Sequence, residues 1–403
     1  MAEKRRPVTL AKLWIRKMDT EAYRAGKLTG WKHPEITQEI IDTVGGRKAL
    51  MEQIRALEKE GLIQVTYRDM GNDVKRIDLP VAAVEKLCQR EGMEDSRQRQ
   101  LRYLEEVRAW SAPVQEVPWL RAYYEDLIRR LEAGKIVKEP EDPDLFRCLN
   151  TLAELKEAVW ERVFSCMVFK NSKKFRSGGC REKVISVLKN GLYGCPFYEE
   201  GMTDDGLLTA CGILTYSQTL EWKGPLQYRI MEVQADTSAL RYGCVLNAQT
   251  LEHAKVSGCS GCVSTVMTIE NKANYENMAY AEDTLYIYCH GFFSPKELRF
   301  LSGLRGVLPA GVKYLHWGDM DYGGIRIYQY IKRHLFPELV PYRMDARDFE
   351  EAIRMGAGIG LEESTREKLE NMDAGELDGL KQAILRTGKT VEQEMLLAAA
   401  CSC

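Results

Sequence analysis

The C-terminal half of the chain alternates short apolar runs with helical patterns. The apolar runs predict buried strands, at residues 263–269, 284–289, 312–317 and 339–344. The helical patterns fall between them, at residues 275–281, 295–304 and 325–335. Such an alternation favours a parallel sheet with right-handed crossovers, in which the C-terminal ends of the strands lie along one edge.

The N-terminal part of the chain has a different pattern. Apolar spacing over residues 46–61 predicts a helix, and the segments 62–67 and 74–79 predict two strands joined by a turn at Gly71-Asn72. A helix followed by a β-hairpin is typical of the second half of a winged helix, a fold in which the helix or the wing often meets nucleic acid. The pattern leaves open whether this unit contacts DNA or only protein.

The middle of the chain is predicted to be mainly helical. Residues 93–165 are rich in Arg, Glu and Leu, with apolar positions at helical spacing and prolines between the helical stretches. They predict two or three amphipathic helices that form an arm or linker. Residues 166–224 then combine a basic helix, predicted over 181–188, with turns and strands.

Three carboxylates stand directly after two of the predicted strands. Glu270 follows the run 263–269, and Asp319 and Asp321 follow the run 312–317. Because the ends of parallel strands share an edge, these side chains are expected to converge. Hard carboxylate oxygens select Mg²⁺ or Mn²⁺, and proteins hold Mg²⁺ with one or two carboxylates and the phosphates of the substrate. The motif therefore predicts one or two divalent ions that assist chemistry on a phosphate ester.

The simpler alternative is an ordinary strand-to-helix turn. Residues 319–324 form an Asp-x-Asp-x-Gly-Gly stretch, and Asp and Gly are the commonest turn residues, with Asp also a good helix N-cap. His290 and His316 lie at predicted strand ends beside the carboxylates. For each histidine the sequence allows two roles, support of the site or packing in the core.

The sequence around these carboxylates resembles known families. A Glu after one strand and an Asp-x-Asp after a later one is similar to the Toprim domain of topoisomerases, primases and related nucleases. The stretches that carry a closer resemblance are residues 268–276, 316–327, 343–345 and 391–394. They look like JetD, the nuclease-subunit family of Wadjet anti-plasmid systems, which is related to the A subunit of topoisomerase VI. The resemblance is strong over 225–400 and weaker over 165–224.

The resemblance implies an α/β Toprim fold, a Rossmann-like parallel sheet, in the C-terminal domain. Winged-helix and helical-arm domains would precede it. The implied domains are a winged-helix-like domain at 1–90, a helical arm at 91–164, a second winged-helix-like (CAP-like) domain at 165–224 and the Toprim catalytic domain at 225–403.

The resemblance also implies a function, the cleavage of plasmid DNA with Mg²⁺ or Mn²⁺. Glu270, Asp319 and Asp321 would be the catalytic and metal-binding carboxylates. Glu392 and Glu394 match the family within a predicted C-terminal helix, either as further metal contacts or as structural residues. The implied partners are double-stranded plasmid DNA, the subunits of a condensin-like SMC ATPase complex and a second copy of the chain. No Walker A pattern is present, so any use of ATP is expected from the partners.

Two other functions stay open on the sequence. A topoisomerase VI A-like transesterase would need a nucleophilic tyrosine. The sequence around Tyr193, Tyr198 and Tyr216 marks none of them as a nucleophile, which favours hydrolysis. A non-catalytic DNA-binding scaffold would not need the metal carboxylates, and all three are present.

Positive charge is concentrated locally. The net charge is only −2, whereas DNA-binding domains are usually basic overall. Residues 1–17 and 170–183 each hold six Lys or Arg against one Glu. Such a cluster either contacts phosphates or is simply a solvated face. Lys272 has an alternative partner in Glu276, four residues further on. The predicted DNA-binding residues are Lys173, Lys174, Arg176 and Lys272.

Length and composition favour a protein of two to four domains in the cytoplasm. Of the 403 residues, 45% are hydrophobic, but no run approaches the roughly 20 apolar residues of a membrane span. The N-terminus lacks the apolar core of a signal peptide. Twelve scattered cysteines predict reduced thiols. Cys259 and Cys262 lack the second ligand pair that a zinc site requires.

Overall fold

The chain folds into two compact units. The computed structural model describes residues 8–68, 73–215 and 219–395. The first unit falls within 1–155 and 167–196, and the second within 156–166 and 197–403. The four predicted domains divide the chain more finely, and their boundaries stay a prediction. The predicted turn at Gly71-Asn72 lies outside the described residues.

The first unit is mainly helical, with one small antiparallel sheet. In chain order the helices are α1 (Leu10–Met18), α2 (Glu21–Arg24), α3 (Gln38–Thr43), α4 (Arg47–Lys59), α5 (Val84–Arg90), α6 (Ser96–Ser111), α7 (Pro118–Glu132), α8 (Pro143–Ala153), α9 (Glu161–Phe169), α10 (Lys174–Ser177) and α11 (Cys180–Lys189). Residues 161–166 of α9 belong to the second unit, and residues 167–169 belong to the first. The strands are β1 (Trp31–Lys32), β2 (Gln64–Arg68) and β3 (Asp73–Pro80), in the order β1-β3-β2.

The predicted helix and hairpin near the N-terminus are confirmed. After α4, the strands β2 and β3 pair in antiparallel fashion. The apolar stripe of α4, formed by Leu50, Ile54 and Leu57, is buried in a core that also holds Trp14. A stripe at this spacing buries one helix face, which is why the sequence reveals the helix. The winged-helix assignment stays a prediction.

The second unit is built around a larger sheet. Its strands are β4 (Val159–Trp160), β5 (Ile213–Leu214), β6 (Thr219–Lys223), β7 (Gln227–Ile230), β8 (Val233–Asp236), β9 (Cys244–Asn247), β10 (Ala254–Gly258), β11 (Thr265–Ile269), β12 (Thr284–Tyr288), β13 (Lys313–Trp317), β14 (Val340–Pro341), β15 (Ile359–Gly360) and β16 (Lys389–Thr390). Its helices are α12 (Asp204–Ala210), α13 (Ala248–His253), α14 (Lys272–Asn277), α15 (Pro295–Ser302), α16 (Leu304–Val307), α17 (Tyr322–His334), α18 (Ala346–Arg354), α19 (Glu363–Asn371) and α20 (Asp378–Thr387).

Six strands form the main sheet, in the order β14-β13-β11-β12-β6-β9. β11 is parallel to β12 and β13, and β13 is parallel to β14. The predicted parallel sheet is therefore confirmed for these four strands. β6 and β9 extend the sheet as antiparallel strands. The alternation of strand and helix did not predict them, because antiparallel strands need no crossover helix.

Burial explains why the parallel strands are visible in the sequence. β11 is buried over residues 266–269, and β12 over residues 284–287. Parallel strands that are covered on both faces form nearly continuous apolar runs. Ile325, Tyr328 and Ile331 of α17 belong to the same core. Packing of this helix and the sheet fixes where the loop between β13 and α17 must lie.

Among the described helices, none combines the length and the apolar character that a membrane crossing requires. The cysteines in the described ranges, Cys259 and Cys262 among them, form no disulfide bond.

Candidate metal centre

The carboxyl groups of Glu270, Asp319 and Asp321 lie at one edge of the main sheet. β11 and β13 are parallel neighbours, and Ile269 faces Trp317 in their last pair. The Glu270 N–H donates to the carbonyl oxygen of Trp317 at 3.0 Å, which extends the ladder by one residue. The Asp319 N–H donates to Oε2 of Glu270 at 3.2 Å. The convergence predicted from the strand ends therefore occurs.

Asp321 is the N-cap of α17. Its Oδ1 accepts the N–H of Gly324 at 2.7 Å. This hydrogen bond is the capping function that the simpler alternative predicted. It uses one of about four acceptor positions on an ionised carboxylate, so the others can still face a cation. Capping and metal binding are compatible roles for Asp321.

Two glycines allow unusually close approaches within this turn. A Cβ on Gly324 would lie 2.0 Å from the backbone oxygen of Asp319. A Cβ on Gly318 would lie 2.7 Å from Oε2 of Glu270 and 2.8 Å from Nε2 of His316. Both positions fall well inside the separation at which carbon atoms make favourable contact. The carboxylates can therefore pack against the main chain because no side chain intervenes.

The segment around Gln393 closes the site from a distant part of the sequence. Met320 and Val391 form an antiparallel bridge, with N–H···O distances of 2.8 and 3.2 Å. The Gln393 N–H donates to Oδ1 of Asp319 at 2.8 Å. The side-chain oxygen of Gln393 accepts the N–H of Asn271 at 2.9 Å. One segment thus positions the loops after both β11 and β13.

Sequence reasoning missed Gln393 and misplaced one neighbouring residue. Glu392 and Glu394 were both predicted to lie within a helix. In the structure Val391 is in the bridge, Glu392 is outside any helix, and helical conformation begins at residue 393. Pairing with Met320 holds the chain extended there, which overrides the local helical preference. The signal for Gln393 was its place between the two glutamates that match the family.

The site concentrates negative charge where hydration is poor. Burial, followed by the charges of Asp319, Asp321 and Glu394, raises the pKa of Glu270 to about 8. Burial also raises the pKa of Asp319 to about 6, and the charges of Asp321, Glu394 and Glu392 add to this effect. A bound cation would favour the ionised form of each group. The hard oxygen donors and their unbalanced charge both fit Mg²⁺ or Mn²⁺.

The three carboxylates do not form a compact cluster. In the described ranges their ligand oxygens do not all lie within 4.8 Å of one another. Asp142, Asp144 and Cys180 of the first unit do form a compact group. Lys183 pairs with Asp142, and Lys174 pairs with Asp144 at 2.6 Å, so the protein itself neutralises both aspartates.

The two histidines at the strand ends have different environments. His316 is completely buried, and its Nδ1 lies 2.8 Å from Oγ1 of Thr268. Burial lowers the pKa of His316 to about 3, so the ring is neutral. Its Nε2 has no hydrogen-bond partner among the described residues. His290 instead contacts the buried carboxylate of Glu297 at 2.8 Å, which is a packing role.

The predicted DNA-binding cations are partly neutralised within the protein. Lys174 pairs with Asp144. Lys272 pairs with Glu221, and it also pairs with Glu276 at 3.5 Å. The ion pair with Glu276 is the alternative that the sequence left open. The exposed residues of the basic cluster include Lys173 and Arg176.

The candidate tyrosines lie in different surroundings. The hydroxyl of Tyr193 lies 3.4 Å from Oδ2 of Asp126 in the first unit. Tyr198 belongs to the second unit, and it lies near Tyr322, the residue after the Asp-x-Asp motif. Burial is the main cause that raises the pKa of Tyr322, and the charge of Tyr198 is a smaller one. Tyr216 lies outside the described residues.

The fold and the site define the second unit as a mixed α/β domain with an acidic centre at the C-terminal ends of its parallel strands. Residues 225–401 match the family described as Wadjet protein JetD, C-terminal. Over 288 residues, which is 69% of this chain and 68% of the relative, the sequence is 28% identical to the Wadjet protein JetD of Bacillus cereus (strain Q1). The predicted resemblance to JetD is therefore confirmed, and the family match covers residues 225–401.

Proposed function

We propose that this protein is a divalent-metal-dependent DNA endonuclease that hydrolyses phosphodiesters. The observation that carries the proposal is the convergence of Glu270, Asp319 and Asp321 at one sheet edge, with raised pKa values at all three. A helix-capping turn alone does not account for Glu270. Burying a carboxylate that caps nothing costs free energy unless a cation or a hydrogen-bond network compensates for the cost.

The similarity to a Wadjet protein JetD supports a proposal about the biological system in which this activity is used. We propose that the chain serves in Wadjet anti-plasmid defence and cleaves plasmid DNA together with condensin-like SMC ATPase subunits. Two copies of the chain would provide one site for each DNA strand. At the finer level of fold, we propose a Toprim domain at the C-terminus and winged-helix domains before it, because the parallel strands and the N-terminal hairpin fit those folds.

The residues of the site would have different roles. Glu270, Asp319 and Asp321 would hold one or two Mg²⁺ or Mn²⁺ ions, and Glu394 lies near enough to add negative charge. A bound ion supplies Lewis-acid polarisation of the phosphodiester and activation of water. The backbone N–H of Gln393 would orient Asp319 by donating to Oδ1. Such outer hydrogen bonds commonly change metal affinity by about 10–100-fold.

The direct test incubates the purified full chain with circular and with linear plasmid in Mn²⁺, Mg²⁺ or EDTA. We expect strand cleavage with a divalent ion and none with EDTA. Calorimetric titration with Mn²⁺ alone tests the metal site without DNA. If the protein binds DNA and Mn²⁺ but leaves DNA intact under every condition, the non-catalytic scaffold becomes the better function.

A further prediction separates hydrolysis from transesterification. We expect DNA ends that are free of protein, because hydrolysis by water leaves no covalent intermediate, whereas a tyrosine nucleophile would remain attached to DNA. The reaction is stopped with detergent before completion, and protein-linked DNA is measured. Tyr198→Phe is the informative variant and Tyr193→Phe is its matched control. A covalent adduct that Tyr198→Phe abolishes would restore the topoisomerase-like alternative.

A further inference from the structure

Arg343 has a backbone conformation that arginine rarely adopts. Its φ is +52°, and the other non-glycine residues with positive φ in the described ranges are Lys170 and Met231. The left-handed region is unfavourable for a side chain with a Cβ, and such strain tends to occur at functional sites. The surroundings of Arg343 indicate what this conformation achieves.

The segment that contains Arg343 lies beside the metal centre. β14 is the parallel neighbour of β13, so the residues after β14 lie at the same sheet edge as the carboxylates. The next residue, Met344, accepts the N–H of Gly318 through its sulfur at 2.9 Å. Gly318 directly precedes Asp319. The loop after β14 is therefore in contact with the loop that carries the Asp-x-Asp motif.

Two aromatic rings hold the guanidinium group. Its central carbon lies 5.8 Å from the ring centre of Trp317 and 5.6 Å from that of Tyr342. These two rings contact each other edge to face, with their centres 6.0 Å apart. Aromatic faces attract a planar cation and limit its motion without using its N–H donors. The side chain is thus oriented before any ligand arrives.

The N–H donors of Arg343 are not used by an acidic partner among the described residues. Burial raises the pKa of Asp348 and the charge of Arg343 opposes this effect, yet Arg343 and Asp348 are not among the ion pairs of the described residues. By contrast Lys272, the basic residue that the sequence identified beside the centre, already contacts two glutamates. Arg343 is therefore the better-placed cation for an incoming anion.

We infer that Arg343 binds a backbone phosphate of DNA next to the metal centre and positions the strand for cleavage. The inference rests on the proposed function. A guanidinium group presents paired donors that match two phosphate oxygens, and a positive charge here would offset the repulsion between DNA and the carboxylates. Arg343 is a positioning residue, since nothing indicates that it contacts the atoms that react.

The test compares Arg343→Gly with Arg343→Lys in the full chain. Glycine tolerates positive φ, so Arg343→Gly should melt within about 3 °C of the wild type, the shift that roughly 1 kcal/mol produces. Cleavage at subsaturating DNA should fall by roughly 10- to 100-fold, as expected for the loss of one charge-assisted hydrogen bond. Arg343→Lys keeps the charge without the planar fork and should recover part of this loss.

DNA binding in EDTA gives a second readout that a structural role would not change. The slope of log K against log salt should become shallower by about 0.9 for the loss of one phosphate contact with duplex DNA. Arg305→Ala is the charge control, because Arg305 pairs with Glu338 before β14 begins, at the opposite edge of the sheet. Met231→Gly is the control for relief of backbone strain. Neither control should change cleavage or the salt slope.

The outcomes separate this inference from the proposed function. If the wild type cleaves DNA and Arg343→Gly cleaves equally well with the same salt slope, Arg343 does not position DNA, and the nuclease proposal stands. If the wild type does not cleave DNA with any ion but Arg343→Gly still flattens the salt slope, the nuclease proposal fails, and the phosphate contact stands.

Discussion

The Glu270→Gln protein is expected to lose DNA cleavage while it keeps its fold. Glutamine retains the shape of the side chain and an oxygen that can accept the Asp319 N–H. It lacks the negative charge that, under the proposed function, would bind a cation. We expect a loss on the order of 10²–10³-fold or more, the range that follows removal of one electrostatic stabiliser of a transition state. Asp319→Asn should behave in the same way. Plasmid cleavage and Mn²⁺ titration measure both effects.

Glu282→Gln is the matched control for this substitution. Glu282 is exposed and precedes β12, so it lies toward the opposite ends of the parallel strands. Its neutralisation should leave cleavage and Mn²⁺ affinity unchanged. Full cleavage by Glu270→Gln would exclude Glu270 as a metal ligand and would remove the main support for the proposed reaction.

The same substitution should raise the stability of the metal-free protein above about pH 5. Burial and neighbouring charges raise the pKa of Glu270 to about 8 in the folded state, whereas an unfolded glutamate titrates near its usual value of about 4.3. Between these values the folded state binds more protons, so stability falls as the pH rises. Glutamine has no such titration. In EDTA, the melting temperature of Glu270→Gln minus that of the wild type should increase from pH 5 to pH 8. A difference that stays constant over this pH range would show that the raised pKa of Glu270 does not destabilise the folded protein.

The Gly324→Ala protein should be strongly destabilised and should bind Mn²⁺ weakly. The new Cβ would lie 2.0 Å from the backbone oxygen of Asp319, and main-chain atoms cannot move away as a flexible side chain can. Relief of the clash must displace the loop that carries the carboxylates. Overpacking of this kind costs typically 1–3 kcal/mol, and we expect the upper end, about 3 kcal/mol, or more. Thermal melting and Mn²⁺ titration measure the two consequences.

Two other glycines provide a graded comparison. A Cβ on Gly323 would lie 3.3 Å from Oδ1 of Asp321, so Gly323→Ala should have a milder effect. A Cβ on Gly306 would meet nothing within 4 Å, and alanine is the better helix former by about 1 kcal/mol. Gly306→Ala should therefore be neutral or stabilising. If Gly324→Ala and Gly306→Ala have the same melting temperature, the main chain around Asp319 is not packed tightly against Gly324.

Much of the second unit could be predicted because its signals are local. A strand buried on both faces produces an apolar run, and the residue after the run marks the strand end. Glu270, Asp319 and Asp321 were found in this way. The antiparallel strands β6 and β9 were missed because their pairing depends on partners rather than on a repeated unit.

The family resemblance and the local pattern together identified the carboxylates but not their support. Gln393 contacts Asn271 across 122 positions of sequence and Asp319 across 74. The pattern of apolar and polar residues within each segment does not reveal such a long-range contact. The free energy of the contact is gained only when the C-terminal segment reaches the sheet edge, after the loop entropy has been lost. The same reason explains why Glu392 departs from its predicted helix.

The sequence by itself determined which carboxylates follow which strands. It also determined that these strands are parallel and therefore bring the carboxylates to one edge of the sheet. The tertiary structure decided what surrounds those charges. It buries Glu270 deeply enough to raise its pKa to about 8 and holds Lys272 between two glutamates. It also leaves Arg343 in cation–π contact with two aromatic rings and without an acidic partner among the described residues. Burial and pairing depend on contacts between distant segments, because electrostatic free energy is set by distance and solvent exposure in three dimensions.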